Sequence, residues 1–326
     1  MAVPKTAITR FDLSAPFVEF MLAANRRKYI GPSVLRPRLV GVQAADVGKI
    51  PLEALLQQKS TKRASGAGYK RGDFEPDKYN YATDEYGWEE AMDDRTLAIY
   101  RDLFDAEEIH ANRAINNVLE EYERDVAAKI LNTAVWTGAA LTTALSTKWS
   151  VKATATPIED VEAARQKVIN GSGLEPNALI LNRNQYFNLI NCDEIVERVK
   201  YTETATQEAM RRVVAQVLDL EHILVAGGIT NSANPQQAKA ISRIWPDAKA
   251  SLARVAMTDD PQEPCVGRTF IWTEDGPGVP GDDSELAVLV EEYREEGIRG
   301  SVIRARNDRD MQIMYTSAAH LLTNVL

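Results

Sequence analysis

Histidine and cysteine are nearly missing from this chain: its 326 residues include three histidines and two cysteines. Cys192 and Cys265 lie far apart, with no histidine or third cysteine at ligand spacing. That excludes a disulfide framework and a zinc site, and leaves two buried free thiols as the expectation. His110, His222 and His320 are scattered, and although Glu107 and Glu221 stand near two of them, one His/Glu neighbour is no ligand set. No apolar run approaches the ~18 residues that a membrane-spanning helix requires. Met1 to Asp12 has neither a basic start leading into an apolar run nor a small-residue cleavage pattern, so no secretion signal is expected and folding is placed in the cytosol. Positive charge is also in deficit. A formal net charge of -9 makes the chain as a whole repel DNA and anionic membranes, which excludes a basic DNA-binding module.

Phosphate-binding loops are missing too. Gly66-Ala67-Gly68 neither follows an apolar strand nor opens a helix, and no G-x-x-x-x-G-K-S/T run exists. Gly227-Gly228 does follow a strand, but a polar loop with Pro235 comes next instead of a helix amino end that would hold phosphate. The acid pairs Asp93-Asp94, Asp259-Asp260 and Asp282-Asp283 lack the calcium-loop pattern and read as solvated turns. No catalytic residue, cofactor or metal is therefore expected.

What is present is ordinary globular material, 44% hydrophobic and 26% charged, in a chain long enough to bury on the order of 75% of its unfolded surface. After an amphipathic stretch at 17–27, the segment from Tyr29 to Val42 is broken by Pro32 and Pro37 and reads as an extended arm. Lys49-Ile-Pro-Leu-Glu and Tyr79-Asn-Tyr-Ala-Thr-Asp-Glu-Tyr read as the two strands of a long hairpin. Its tip carries Lys59, Lys62, Arg63, Lys70 and Arg71 with no acid between, and Gly66 and Gly68 make it flexible. A basic projection on an acidic protein points to a neighbour's acidic surface, against the plainer alternative of a solvated loop.

The strongest periodic signal spans 105–132, where Ile115, Val118, Leu119, Tyr122, Val126, Ile130 and Leu131 recur at helical spacing, with Asp105 and Glu108 as a capping start. It reads as a structural spine. A Thr/Ala-rich connection over 133–156 follows, and then helix and strand alternate: helices at 158–169, 184–190, 194–199 and 206–218, strands at 178–181, 223–226 and 241–245. The last sixty residues are strand-rich. Ser301 to Arg306 and Met311 to Tyr315 read as a hairpin turning at Asn307-Asp308-Arg309-Asp310.

This order of elements resembles the major capsid proteins of tailed bacteriophages, the Hong Kong ninety-seven fold. The resemblance rests on the arm from Tyr29 to Val42, on the return from the extended loop through Asp84-Glu-Tyr-Gly-Trp-Glu-Glu-Ala-Met-Asp-Asp-Arg, on Pro176-Asn-Ala-Leu-Ile-Leu-Asn-Arg-Asn-Gln-Tyr with Ile195-Val-Glu-Arg-Val-Lys-Tyr-Thr, and on Ile223-Leu-Val-Ala-Gly-Gly. It spans nearly the whole chain, and order carries it more than any one motif. It implies an α+β fold with an arm (1–45), an extended loop (46–85), a peripheral domain (86–150 and 261–326, with spine helix 105–132) and an α/β axial domain (151–260).

It further implies a non-enzymatic shell subunit that assembles with copies of itself into hexamers and pentamers, in a virion made in a bacterial cytoplasm. A portal, a separate scaffold protein and a decoration protein are the implied partners. Packaged DNA would be met without sequence-specific contact, and no membrane. Val34, Leu39 and Val40 of the arm and Lys62, Arg63, Lys70 and Arg71 of the tip are the expected inter-subunit contacts. Some members join a loop lysine to a neighbour's asparagine; Lys59, Lys62 and Lys70 are placed for it, but no partner asparagine identifies itself and no crosslink is expected. The rival readings are an encapsulin-type compartment, and an α/β enzyme with a small-molecule site in 151–260.

Overall fold

The computed structural model describes residues 8–9, 29–72, 75–100, 106–200, 206–234, 236–260, 262–273 and 288–326. The stretch at 17–27 and the capping residue Asp105 lie outside them. Strand β1 (Ile8–Thr9) is followed by the one-turn helix α1 (Gly31–Val34) and strand β2 (Pro37–Val40). A ribbon of β3 (Ala44–Lys49) and β4 (Asp77–Ala82) comes next, with the short helix α2 (Leu52–Leu56) on its outgoing limb. Strand β5 (Asp84–Asp93) and helix α3 (Asp94–Tyr100) lead to α4 (Ala106–Ile130), the spine. Then come β6 (Thr142–Ala144), α5 (Pro157–Ser172), β7 (Ala178–Asn182), α6 (Arg183–Ile190), α7 (Asp193–Val199), α8 (Gln207–Val217) and β8 (His222–Ala226). The small pair β9 (Ile229–Asn231) and β10 (Ile241–Arg243) precedes β11 (Lys249–Ala253). The remaining strands are β12 (Gly267–Trp272), β13 (Leu289–Glu295), β14 (Gly300–Ile313) and β15 (Ala319–Thr323).

The first sheet runs β1-β13-β14-β12-β2, with β5 also paired to β14. Residues 300–306 of β14 pair with both β5 and β13, and 308–309 with both β5 and β12. Since a strand has two edges, β5 owns one edge of β14 while β13 and β12 share the other. Helix α4 lies on one face. Its buried residues Ile115, Val118, Leu119, Tyr122, Val126 and Ile130 share a core with Ile303, Ala305 and Met311 of β14, each worth about 1.5–3 kcal/mol of burial. The expected period is therefore the observed one.

The second sheet runs β6-β15-β11-β7-β8. Every residue of β7 is buried, as a strand covered on both faces requires. Asn182 ends β7 and begins α6 in a reciprocal capping box: its Oδ1 accepts from Gln185 N (2.8 Å) and its N–H donates to Gln185 Oε1 (2.8 Å). The spare donors tie this turn to the approach to β11, Asn182 Nδ2 reaching Trp245 O (2.9 Å) and Gln185 Nε2 reaching Lys249 O (2.8 Å). Helix α5 stops at Gly173, which takes φ +70 and donates its N–H to Ile169 O (2.7 Å).

Three expectations need correction. Asn307 to Asp310 is no turn: β14 runs straight through it for 14 residues, and the turn lies at 296–299. The polar run is buried because charge partners wait on both sides: Arg306 Nη2 meets Glu291 Oε1 (3.0 Å) and Arg309 Nη2 meets Asp125 Oδ2 (3.0 Å). The ribbon's first strand is Ala44–Lys49, and Leu52–Leu56 is helical, since Pro51 is extended and sits just ahead of a helix-favouring Leu-Glu-Ala-Leu-Leu. Finally, β6 and β15 pair into the sheet of 178–253, so 142–144 and 319–323, which lie inside the boundaries expected for the peripheral domain, fall with the α/β unit instead.

Candidate assembly surfaces

The arm is held by two neighbouring spine residues. The buried Glu123 carboxylate accepts from Ile30 N (3.0 Å), Gly31 N (2.6 Å) and the Trp245 indole Nε1 (2.6 Å). Burial pushes its carboxyl above the ordinary range, against the pull of those three donors. Tyr122 donates its hydroxyl to Leu35 O (3.1 Å). A Cβ on Gly31 would stand 2.7 Å from Glu123 Oε2 and 2.8 Å from Tyr122 Cε1, so only glycine lets the arm sit this close. Strand β2 then pairs in parallel with β12, Arg38 opposite Phe270.

The arm at 29–40 is thus completed by its own subunit, contrary to the expectation that it must find partners elsewhere. Val34 is 0% exposed, and its role as an inter-subunit contact is withdrawn: a helical turn turns it into the core. Leu39, on the outward phase of β2, is 60% exposed, and Val40 is half-buried. Sequence reading missed the Tyr122-Glu123 clasp because Glu123 looks like one more polar-face residue of the spine.

The ribbon has an anchored root and a free end. At the root, Tyr81 stacks on Phe270 (4.5 Å between ring centres, 9° between planes), Ala82 N donates to Asp310 Oδ2 (3.0 Å) and Tyr315 Oη donates to Ile50 O (2.7 Å). Beyond it, residues 55–72 are all exposed. Lys62, Arg63, Lys70 and Arg71 lie there, on either side of a turn at Ala64–Ala67 in which Gly66 takes φ +80. Arg63 donates to Ala67 O (2.5 Å) and lies 4.5 Å over the ring of Tyr69, itself 79% exposed. Arg63 and Tyr69 therefore brace the tip from within, and Lys62, Lys70 and Arg71 face solvent.

Strand β5 carries an acidic surface, of which Glu89 and Glu85 also meet Arg304 and Arg306 of β14 at 3.6 Å. This ten-residue strand reads Asp-Glu-Tyr-Gly-Trp-Glu-Glu-Ala-Met-Asp. Asp84, Glu85, Glu89 and Asp93 are exposed, and among the described residues no strand pairs with its outer edge. Open edges bearing one sign of charge resist unselective pairing and accept an oppositely charged partner. Trp88, 49% exposed, lies along it with Nε1 donating to Glu90 Oε1 (2.9 Å). The acid density of 84–94 was the signal in the sequence for this edge.

The chemistry elsewhere is quiet. Among the described residues no three His, Cys, Asp or Glu gather as a metal set, and no helix is long and apolar enough to cross a membrane. Burial pushes both thiols, Cys192 and Cys265, up to about 11, which keeps them protonated and unreactive. A cleft between the arm and the α/β unit is lined by Arg36, His222, Leu224 and Met257, but Arg36 spends its guanidinium on Asp259 Oδ1 (2.7 Å) and Met257 O (3.1 Å).

No protein-family model matches the sequence, and no curated protein does. Solved structures do match. The crystal structure of a phage-related protein from Bordetella bronchiseptica RB50 covers 98% of this chain and 99% of its own, with a TM-score of 0.68 at 19% identity. The capsid of cyanophage P-SCSP1u covers 99% and 90%, with a TM-score of 0.55 at 10% identity. The SrpI encapsulin complex from Synechococcus elongatus PCC 7942 covers 100% and 92%, with a TM-score of 0.52 at 10% identity. The chain has the α+β phage-capsid fold.

Proposed function

We propose that this chain is the structural subunit of a tailed-phage head, a major capsid protein that assembles into hexamers and pentamers around double-stranded DNA and carries out no catalysis. The observation that carries the reading is the ribbon: its root is locked into the subunit, while its basic end is exposed throughout 59–72. The acidic outer edge of β5 on a second copy supplies what that end lacks, and closure of the shell lets many such modest contacts add up. Leu39 and Val40 lie on the outward and half-buried phases of β2 and form a second contact. The first sheet with α4 is the peripheral domain in this reading, and the second sheet with its helices the axial domain. A portal, a separate scaffold protein and a decoration protein are its further partners, the virion its location.

The test is charge reversal at the tip. Lys62→Glu, Arg63→Glu, Lys70→Glu and Arg71→Glu combined should leave circular dichroism and the melting profile of the subunit unchanged and abolish closed particles in electron micrographs. Normal particles from that variant would remove the tip from the reading.

The encapsulin among the similar structures keeps a second reading in play, a shell around protein cargo. Content decides between them. Nuclease-protected DNA in particles made with the neighbouring genes supports the phage head, and a single co-purifying protein in place of DNA supports the compartment.

A further inference from the structure

The face of the first sheet turned away from the spine holds an excess of hydrogen-bond donors. Arg38 and Phe270 are register partners on β2 and β12, and Arg268 lies two residues before Phe270, so all three project to the same side. Thr269, between them, points the other way and meets Tyr122 Oη at 2.9 Å, which identifies that opposite side as the spine's. The ribbon root covers the donor face: Tyr81 stacks on Phe270, and Tyr79 is tilted against it at 5.9 Å.

Beneath this cover, Arg268 is fully buried. Its Nη1 donates to Thr258 O (2.9 Å) and its Nη2 to Asp260 O (2.6 Å) and Glu263 Oε2 (3.2 Å), but its Nε has no acceptor. Arg38 Nη1 and Tyr79 Oη are also buried, and among the described residues neither they nor Arg268 Nε finds a hydrogen-bond partner. Both guanidinium groups act electrostatically on the Tyr79 phenol, and burial pushes that phenol up to about 12. It is therefore a hydroxyl donor at neutral pH.

Glu263 is the carboxylate that meets Arg268, and it is already engaged by Met257 N (2.9 Å), Thr258 N (2.8 Å) and Thr258 Oγ1 (2.7 Å). Arg38 is half-buried, and among the described residues no carboxylate pairs with it. Water would fill the hydrogen-bond vacancies, whereas an anion fills them and also answers the positive charge.

We propose that Arg38, Arg268 and Tyr79 form a binding site for a small inorganic anion of chloride size, set between the first sheet and the root of the ribbon. The anion bridges two strands of the body to β4, so its presence fixes the seat from which the ribbon projects. The inference is independent of what the shell encloses.

The test uses the purified full chain in sodium chloride and in sodium gluconate at matched ionic strength, gluconate serving as the bulky anion. Chloride should raise the melting temperature saturably, by about 2 °C at several times Kd, and slow amide exchange over 77–82. Arg38→Gln and Tyr79→Phe should lose both responses. To separate loss of the site from loss of the fold in Arg38→Gln, crystals of the unaltered protein soaked in bromide give a second reading, an anomalous peak between the three side chains. Equal melting temperatures and equal exchange in the two salts, responses that persist in a folded Arg38→Gln or Tyr79→Phe variant, or a bromide map without that peak would overturn the proposal in favour of water.

Discussion

Thr143 Oγ1 lies 2.8 Å from His320 Nε2, joining β6 to β15 across the second sheet. Lys167 Nζ donates to the same hydroxyl (2.5 Å), and His320 Nδ1 faces Ala140 O (3.0 Å). One proton arrangement satisfies every member: Lys167 to Thr143, Thr143 to Nε2, and Nδ1–H to Ala140. That arrangement requires a neutral imidazole.

Burial accordingly lowers His320 to about 4 from 6.5. Between those two values the unfolded chain binds a proton that the folded one refuses, so stability rises with pH across this window and is lost as pH falls through it. The full swing is on the order of 3 kcal/mol at this fully buried position. Urea unfolding from pH 4 to 7 should show the slope, and His320→Gln should flatten it; an unchanged slope in that variant would reassign the acid limb to other groups.

Val34 and Leu39 separate folding from assembly. Val34→Ala deletes buried methyl groups and should cost about 2 kcal/mol in urea unfolding of the subunit. Leu39→Ala should change stability by less than ~0.5 kcal/mol while lowering particle yield. Equal stability losses for the two would put both residues in the same environment and contradict the outward phase of β2.

Gly300 opens β14 where a Cβ would stand 2.1 Å from Met92 O, a backbone atom that cannot step aside. Gly300→Ala should destabilise by about 3 kcal/mol. Gly48, with nothing within 4 Å of an added Cβ, serves as the control: Gly48→Ala should stay within ~0.5 kcal/mol.

Arg309 is buried between aromatic rings, 4.0 Å from the centre of Tyr86 and 5.3 Å from that of Tyr122, with Asp125 beyond. Arg309→Leu should cost about 3 kcal/mol, the loss of stacking adding to the broken ion pair. Arg309→Lys keeps the charge but not the flat face and should recover only part of the loss in thermal melts.

The elements that sequence revealed are those whose pattern is local. The period of α4, the apolar run of β7 and the bare basic stretch at 59–71 each announce themselves within a few residues. What stayed hidden depends on distant partners. Asn307 to Asp310 has turn composition and becomes strand because Asp125, far off in the chain, meets its one arginine, Arg309, while Glu291 holds Arg306 just ahead of it. Val34 looks available beside two prolines until Tyr122 and Glu123, some ninety residues on, draw the arm down. The basic tip was legible and the acidic open edge of β5 less so, since a sheet edge exists only once the sheet does.

The central position of β14 also orders events in time. Its 14 residues are translated after β2, β5, β12 and β13, and β15 closes the second sheet later still. The first sheet cannot close while a ribosome is still making 300–313, and β6, which among the described residues pairs with β15 alone, waits for 319–323. In the shell reading proposed above, copies still on one message therefore have no closed body to offer a neighbour.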